Sequence, residues 1–433
     1  MSNFIINGGK KLSGTIRTNS AKNSAVAILC SLTMIKGKTV LVDVPVIEEV
    51  KRIIEILQSI GLKINWIGKN KLEIINQGKI YLTRINNDSY QKTRSAILLI
   101  GSLSAKFNKF ILPETSGCKL GKRTVNPHII ALQHLGINVK KLNNKFLITR
   151  KQIRGVSFTM YESGDTATEN AILVAVLARG KTIINLASSN YMVQDLCYFL
   201  CKAGAKIKGI GTTKLEIIGV NSLTPVRNYP IMPDPIESMA FISIAITTQS
   251  NLTITHCPIE FLSLELEKLR IMGQIMKISK PYKSANGQFT LVNIEIIPSK
   301  LLALPDKIYA RPFPGLNIDN LPLFIPILTR THGQTLVHDW VYENRAIYYT
   351  ELNKLGAKIM LHDPHRVTVT GPTRLQPAEI ICPPALRPAL NLLICMLAAH
   401  GKSILYNSYS IDRGYEDICQ RLNKIGADIK RME

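Results

Sequence analysis

The 433-residue sequence contains no two cysteines in CxxC spacing. Its eight cysteines (Cys30, Cys118, Cys197, Cys201, Cys257, Cys382, Cys395 and Cys419) are scattered. That scatter argues against a zinc knuckle and against a disulfide framework, so no metal and no cofactor are expected. Long apolar runs are also missing. The most apolar uncharged stretches, NSAVAILCSLTMI at 23–35 and LNLLICMLAA at 390–399, are too short to span a bilayer. The opening MSNFIINGGKK lacks the apolar centre of a signal peptide. A reducing cytoplasm and no membrane span are the expectation. Acidic residues are few, 30 against 54 Lys and Arg, which leaves a net charge of +24. The basic residues are spread out, often in hairpin-like turns such as GKNK at 68–71, and no aromatic residues interleave them. Such a spread reads as composition bias, and no nucleic-acid partner is expected. The hydrophobic share of 46% with 19% charged residues is that of an ordinary globular protein, long enough for two or more cored domains.

What the chain does contain is one phrase written six times. The copies are LQSIGLKI, LQHLGINV, LCKAGAKI, LRIMGQIM, LNKLGAKI and LNKIGADI, with glycines Gly61, Gly136, Gly204, Gly273, Gly356 and Gly426. Successive glycines are 75, 68, 69, 83 and 70 residues apart. Each copy reads as the end of an amphipathic helix, a left-handed glycine cap, and then a strand. The period is too long for a solenoid, so the phrase marks a supersecondary module used six times.

Each module also carries a second helix of small and aliphatic residues, near 21–35, 93–105, 167–178, 236–246, 319–328 and 386–399. Apolar nearly all round, these six helices are predicted to be buried on every side. Four are followed by a glycine turn and a strand, beginning at Gly37, Gly180, Gly333 and Gly401, and hairpins such as KLEII (71–75 and 214–218) continue the modules. The predicted fold is α/β, with residues 22–229 forming one three-module domain and residues 1–21 with 230–433 the other. The ligand is expected between them.

Several cations stand where a helix dipole disfavours them. Lys22 follows Ser20 at the start of a buried helix, and Arg94 lies in a first turn after Ser89. Arg345 (ENRAIYY), Arg387 (PPALRPA) and Arg413 (IDRGYE) are also predicted at helix openings. Together they point to a strongly anionic ligand. Asp234, Glu237 and Asp319, likewise at helix openings, read first as caps. Cys118 lies in LPETSGCKLGKR beside Lys119, Lys122 and Arg123, cations that would lower a thiol's pKa. The other seven cysteines read as core. GIGTTK (209–214) and HDPH (362–365) imitate a nucleotide loop and a metal pair, and both are better read as turns between strands.

The order and number of these motifs (AKN at 21–23, Arg94, LPETSGCKLGKR, DNL at 319, YENR at 342, LRPA at 386 and IDRGYE at 411) resemble the enolpyruvyl transferases over essentially the whole chain. The resemblance implies a two-domain inside-out α/β barrel, with buried central helices, outer strands and an N-terminal strand belonging to the second domain. It implies transfer of the enolpyruvyl group of phosphoenolpyruvate to the 3'-hydroxyl of UDP-N-acetylglucosamine, a step of peptidoglycan precursor synthesis. Under it Cys118 is the general acid and Asp319 takes the sugar hydroxyl proton. Lys22, Asn23, Arg123, Arg345, Arg387 and Arg413 fall at phosphoenolpyruvate positions. Asn23, Arg94, Arg123, Thr124, Val125, Asn126, Pro127, Asp319 and Val341 fall at nucleotide-sugar positions.

The chain departs from the family pattern in four places. RTVNPH (123–128) replaces RPVDLH, and ESGDTAT (162–168) puts Glu162 where a lysine is common. LNID precedes the helix at 319, and Ala385 stands in place of an acid. An acid beside a diphosphate weakens binding by repulsion. The alternatives are therefore a paralogue with another acceptor, including 3-phosphoshikimate, or a non-catalytic anion-binding relative.

Overall fold

The computed structural model describes residues 2–115 and 124–432. Cys118 and Arg123 lie outside the described residues. The chain divides into two compact units, one of residues 2–19 with 233–432 and the other of residues 20–115 with 124–232.

All six repeated phrases are helix ends, and their glycines have φ between 83° and 112°. The helices they close are Glu48–Ser59, Asn126–His134, Tyr191–Lys202, Ser263–Ile271, Ala346–Leu355 and Ile418–Asn423. A strand follows each glycine, from Lys63–Gly68 in the first copy to Ile429–Met432 in the last. One copy departs from expectation: Ala346–Leu355 winds as a tighter 3-10 helix. Arg345 and Tyr349, a turn apart, are both tied to Asp339.

The second helix of each module is enclosed. Every residue of Pro235–Thr247 is buried, as is every residue of Leu98–Ser104 and Phe324–Leu328. Lys22–Ser31, Asp165–Ala175 and Leu386–Ala398 bury all but their end residues. Apolar faces in all directions leave such helices no solvated side. The helix predicted near 319–328 is shorter than expected, a 3-10 turn Leu321–Leu323 followed by Phe324–Leu328. Pro322 and Pro326 each remove a backbone donor there.

Among the described residues the strands form six sheets sharing a three-stranded core. The strand after the buried helix pairs antiparallel with a hairpin strand, which pairs antiparallel with the strand leaving the glycine cap. In one sheet Gly37–Val42 lies beside Lys71–Asn76, and that beside Lys63–Gly68, setting Leu41 opposite Leu72 and Ile64 opposite Ile74. Five sheets add a parallel edge strand, such as Tyr229–Pro230 beside Gly37–Val42. In the last sheet the middle place is taken by Asn3–Gly8, between Gly401–Tyr406 and Ile429–Met432. Ser13–Arg17 is the parallel edge of the sheet built on Asn251–Pro258. The residues at 209–214 and 362–365 form hairpin turns, as expected.

Candidate active site

In the unit of residues 20–232, several helix openings are joined by side-chain bonds. Lys22 is the first residue of the Lys22–Ser31 helix, after Ala21, and its Nζ lies 2.7 Å from Glu49 Oε2. Glu49 sits in the first turn of Glu48–Ser59 and also accepts from Ser95 Oγ at 2.9 Å. Ser95 neighbours Arg94, which opens the 3-10 turn Arg94–Ile97 and donates from Nη2 to the Thr124 carbonyl at 3.3 Å. Asn23 donates to Tyr191 Oη at 3.1 Å, and Tyr191 opens Tyr191–Lys202 behind its cap Asn190. Asn190 Nδ2 and Ser188 Oγ both donate to Asp165, the first residue of Asp165–Ala175. His128 is buried between Asn170 Nδ2 at 3.0 Å and Thr166 Oγ1 at 3.3 Å. Burial, and then the Arg94 charge, push its pKa down to about 3, so the ring is neutral. Convergent helix openings with fixed cations suit an anion.

In the other unit the centre is Asp319. Its Oδ1 lies 3.6 Å from Arg345 Nη1 and its Oδ2 3.7 Å from Arg387 Nη2. Asp319 is partly exposed, whereas Arg345 is 1% exposed. Arg345 forms a two-point pair with fully buried Asp339, Nε to Oδ2 at 2.6 Å and Nη2 to Oδ1 at 2.8 Å. Its Nη2 also donates to the Ile318 carbonyl at 2.6 Å, and its guanidinium lies over the Tyr342 ring. Burial works against this charge, but Tyr349 and Asp339 overcome it and raise the Arg345 pKa further. Tyr349 Oη donates to Asp339 as well, and burial and that carboxylate push the phenol well above its ordinary range. The loop carrying Asp319 is braced from behind. Buried Glu265 accepts from the Asn317 amide and from Asn320 Nδ2 at 2.7 Å, and Asn317 Oδ1 accepts from the Asp319 amide at 2.8 Å. Arg387, in the first turn of Leu386–Ala398, donates to Tyr415 Oη at 2.6 Å.

The predicted residues thus fall into two groups. Lys22, Asn23, Arg94, Thr124, Val125, Asn126 and Pro127 belong to one unit, the last four opening the Asn126–His134 helix. Asp319, Val341, Arg345, Arg387 and Arg413 belong to the other. Some expected positions need correction. Arg413 does not open a helix; it closes the four-residue Tyr409–Asp412, and the turn at Gly414 packs on Leu386. Arg345 does open a helix, standing immediately before Ala346–Leu355, but it is buried there with its donors taken up by Asp339, Ile318 and Asp319. Ser89 belongs to a separate helix, Asn87–Gln91, ahead of Arg94. Of the three acids read as caps, only Asp234 caps, accepting from the Ile236 amide at 2.8 Å. Glu237 instead pairs with Arg421, and Asp319 faces the two arginines. Asp339, Glu49, Tyr191 and Tyr415 escaped the sequence reading. Asp339 had one signal, a lone acid directly after the apolar strand GQTLVHDW; an acid in a first helix turn, like Glu49, looks ordinary. The described cysteines other than Cys201 are buried. Among the described residues no group of three or more His, Cys, Asp or Glu side chains could hold a metal ion. Nor is any described helix long and apolar enough to cross a membrane.

A family model described as EPSP synthase (3-phosphoshikimate 1-carboxyvinyltransferase) matches residues 6–422, and the chain belongs to this family of enolpyruvyl transferases. Over 435 residues and the full length of both chains it is 33% identical to UDP-N-acetylglucosamine 1-carboxyvinyltransferase of Treponema denticola. It is 31% identical, again over the full length of both, to the protein so named in Bacteroides fragilis. Among solved structures it matches the enolpyruvyl transferase NikO from Streptomyces tendae with a TM-score of 0.86 at 21% identity, covering 100% of this chain and 99% of that one.

Proposed function

We propose that the protein transfers the enolpyruvyl group of phosphoenolpyruvate to the 3'-hydroxyl of UDP-N-acetylglucosamine and releases phosphate. The observation that carries this reading is Asp319, a partly exposed carboxylate set between two guanidinium groups on a braced loop. The reading is further supported by full-length relatives bearing that activity in their names. The sugar oxygen bonds to C2 of phosphoenolpyruvate while its proton passes to Asp319. The Cys118 thiol delivers a proton to the C3 methylene, giving a tetrahedral phosphate ketal. Loss of a C3 proton and cleavage of the C2–O bond to phosphate then restore the double bond. Lys22, Arg123 and Arg413 neutralise phosphate and carboxylate, and Arg387 holds Asp319 from the side opposite Arg345. Arg345 is a positioning residue in this scheme. Asn23, Arg94, the loop residues Thr124, Val125, Asn126 and Pro127, and Val341 are assigned to the nucleotide sugar.

Phosphate release from phosphoenolpyruvate, measured against a panel of acceptors, tests the reading: turnover is expected with UDP-N-acetylglucosamine. A second acceptor is favoured by one observation: Glu162 is exposed at 162–168, where the family pattern has a base. Release with another sugar, and none with this one, would select that alternative. An epoxide analogue of phosphoenolpyruvate is expected to alkylate Cys118, and modification of other thiols alone would remove the acid assignment.

A further inference from the structure

At the far end of the buried helices in the unit of residues 2–19 and 233–432 lies a basic cavity that the reaction above does not use. It measures about 460 Å3 and is lined by Lys11, Thr247, Arg330, Arg374 and His400, with Leu375 among its apolar walls. An adjoining hollow of about 350 Å3 shares Lys11 and Arg330 and adds Lys300 and His332. No Asp or Glu lines either one. Pro235–Thr247 and Leu386–Ala398 end here, so Arg387 lies about 16 Å away along its helix at ~1.5 Å per residue.

The helix ends account for only part of this charge. Lys11 Nζ answers their partial negative charge by donating to the carbonyls of Thr248 at 3.3 Å and Gln249 at 3.0 Å. Lys10 at the rim pairs with Asp428 at 2.9 Å. Arg330 has no such compensation. Among the described residues no carboxylate pairs with it, and its buried Nε has no hydrogen-bond partner. Thr247, a fully buried residue beside the cavity, likewise has an unpartnered Oγ1. Burial and then the Arg330 charge lower the Lys11 pKa, so the two cations repel each other without an anion between them. The accessible part of the Arg330 guanidinium faces the cavity with no carboxylate opposite it, and an anionic ligand would pair that charge.

We propose that this cavity is a binding site for a small molecule carrying two linked phosphates, held by Arg330 and Lys11, with Lys300 and Arg374 flanking. Four cations (Lys11, Arg330, Lys300 and Arg374) with no acid among the lining residues suit the charge of a diphosphate better than that of a single phosphate. The shared chemistry is a diphosphate, free or borne by a nucleoside whose ring would rest on Leu375. The inference stands independently of the reaction proposed above.

Calorimetric titration with inorganic pyrophosphate, and in parallel with ADP, at constant ionic strength in chloride buffer tests it. One saturable pyrophosphate site is expected, weakened at least tenfold by Arg330→Gln and also weakened by Lys11→Gln. Tighter binding of ADP than of pyrophosphate would identify the nucleoside form, and the reverse order the free ion. Melting curves accompany each variant. Should Arg330→Gln unfold early, Arg374→Gln at the exposed rim carries the same expectation of weakened binding. Unchanged affinity in the Arg330 and Lys11 variants would overturn the proposal. So would loss in Arg413→Gln alone, which would assign the ion to the candidate active site.

Discussion

Arg345 and Asp339 are interdependent because both are removed from water. A two-point pair buried this deeply holds only while both partners are present; removing one leaves an uncompensated charge. Arg345→Met is therefore expected to lower unfolding stability by about 3–5 kcal/mol in urea titration. Asp319→Asn is expected to change it by less than about 1 kcal/mol, since Asp319 is partly exposed and its two arginine contacts are long. Equal losses in the two variants would contradict the division into a buried brace and a working carboxylate.

A second residue-scale expectation concerns Asp195, fully buried in Tyr191–Lys202. It accepts from Tyr229 Oη at 2.7 Å and from the Met232 amide at 3.3 Å. Burial raises its pKa from 3.8 to about 7 despite those bonds. Because the folded value lies above the unfolded one, the protonated form favours the fold. Its contribution is complete below pH ~4 and is lost as pH rises through about 7, a change of up to about 4 kcal/mol. Asp195→Asn keeps an acceptor for Tyr229 but cannot ionise. The stability difference between parent and variant, measured by urea unfolding from pH 4 to 8, should follow that slope. A difference that does not vary with pH would contradict it.

Among the elements, the glycine caps and the buried helices were legible because both follow from local chemistry. A helix apolar on all sides has one place to go, and a left-handed cap asks for glycine. What was not legible depended on partners distant in sequence. Nothing local marks Arg413 as the end of a four-residue helix, and nothing in AIYYTELNKL signals 3-10 winding. Two glycines separate conformational from steric demands. At Gly204 (φ 100°) an added Cβ would meet only Thr224 Oγ1, at 4.0 Å, so Gly204→Ala is expected to cost about 1–2 kcal/mol for backbone strain alone. At Gly8 an added Cβ would come within 2.0 Å of the Met396 carbonyl and 2.3 Å of that of Ala399. Gly8→Ala should therefore destabilise through a clash, by about 1–3 kcal/mol, with loss of the Asn3–Gly8 strand visible as faster amide exchange at its partners Gly401–Tyr406. Unchanged exchange there would show that the strand is not held by this close approach.

For the molecule as a whole, the sixfold phrase announced six modules, and the described residues form six sheets that share one three-stranded core order. Sequence periodicity could not show from the residues alone that Asn3–Gly8 completes the sixth sheet, because its partners lie about 400 residues away. Of the candidate site, the cations Lys22, Arg94, Arg345 and Arg387 were legible as helix-opening charges, whereas Asp319 read as a cap and entered only through the family resemblance. Their supports (Glu49, Asp339, Tyr415) were not, because a support is recognised by what it touches. The net charge of +24 also gains a partial account: some of it is concentrated without acids around Arg330, away from Asp319.

In the proposed reaction Asp319 takes the proton of an acceptor hydroxyl as phosphoenolpyruvate is attacked. The most direct test of that step is phosphate release from phosphoenolpyruvate with UDP-N-acetylglucosamine, compared between the parent protein and Asp319→Asn at matched folded concentration. Turnover by the parent and a fall of about 10²–10⁴-fold in the variant are expected. Equal rates in the two proteins, or no acceptor-dependent release by the parent, would contradict it.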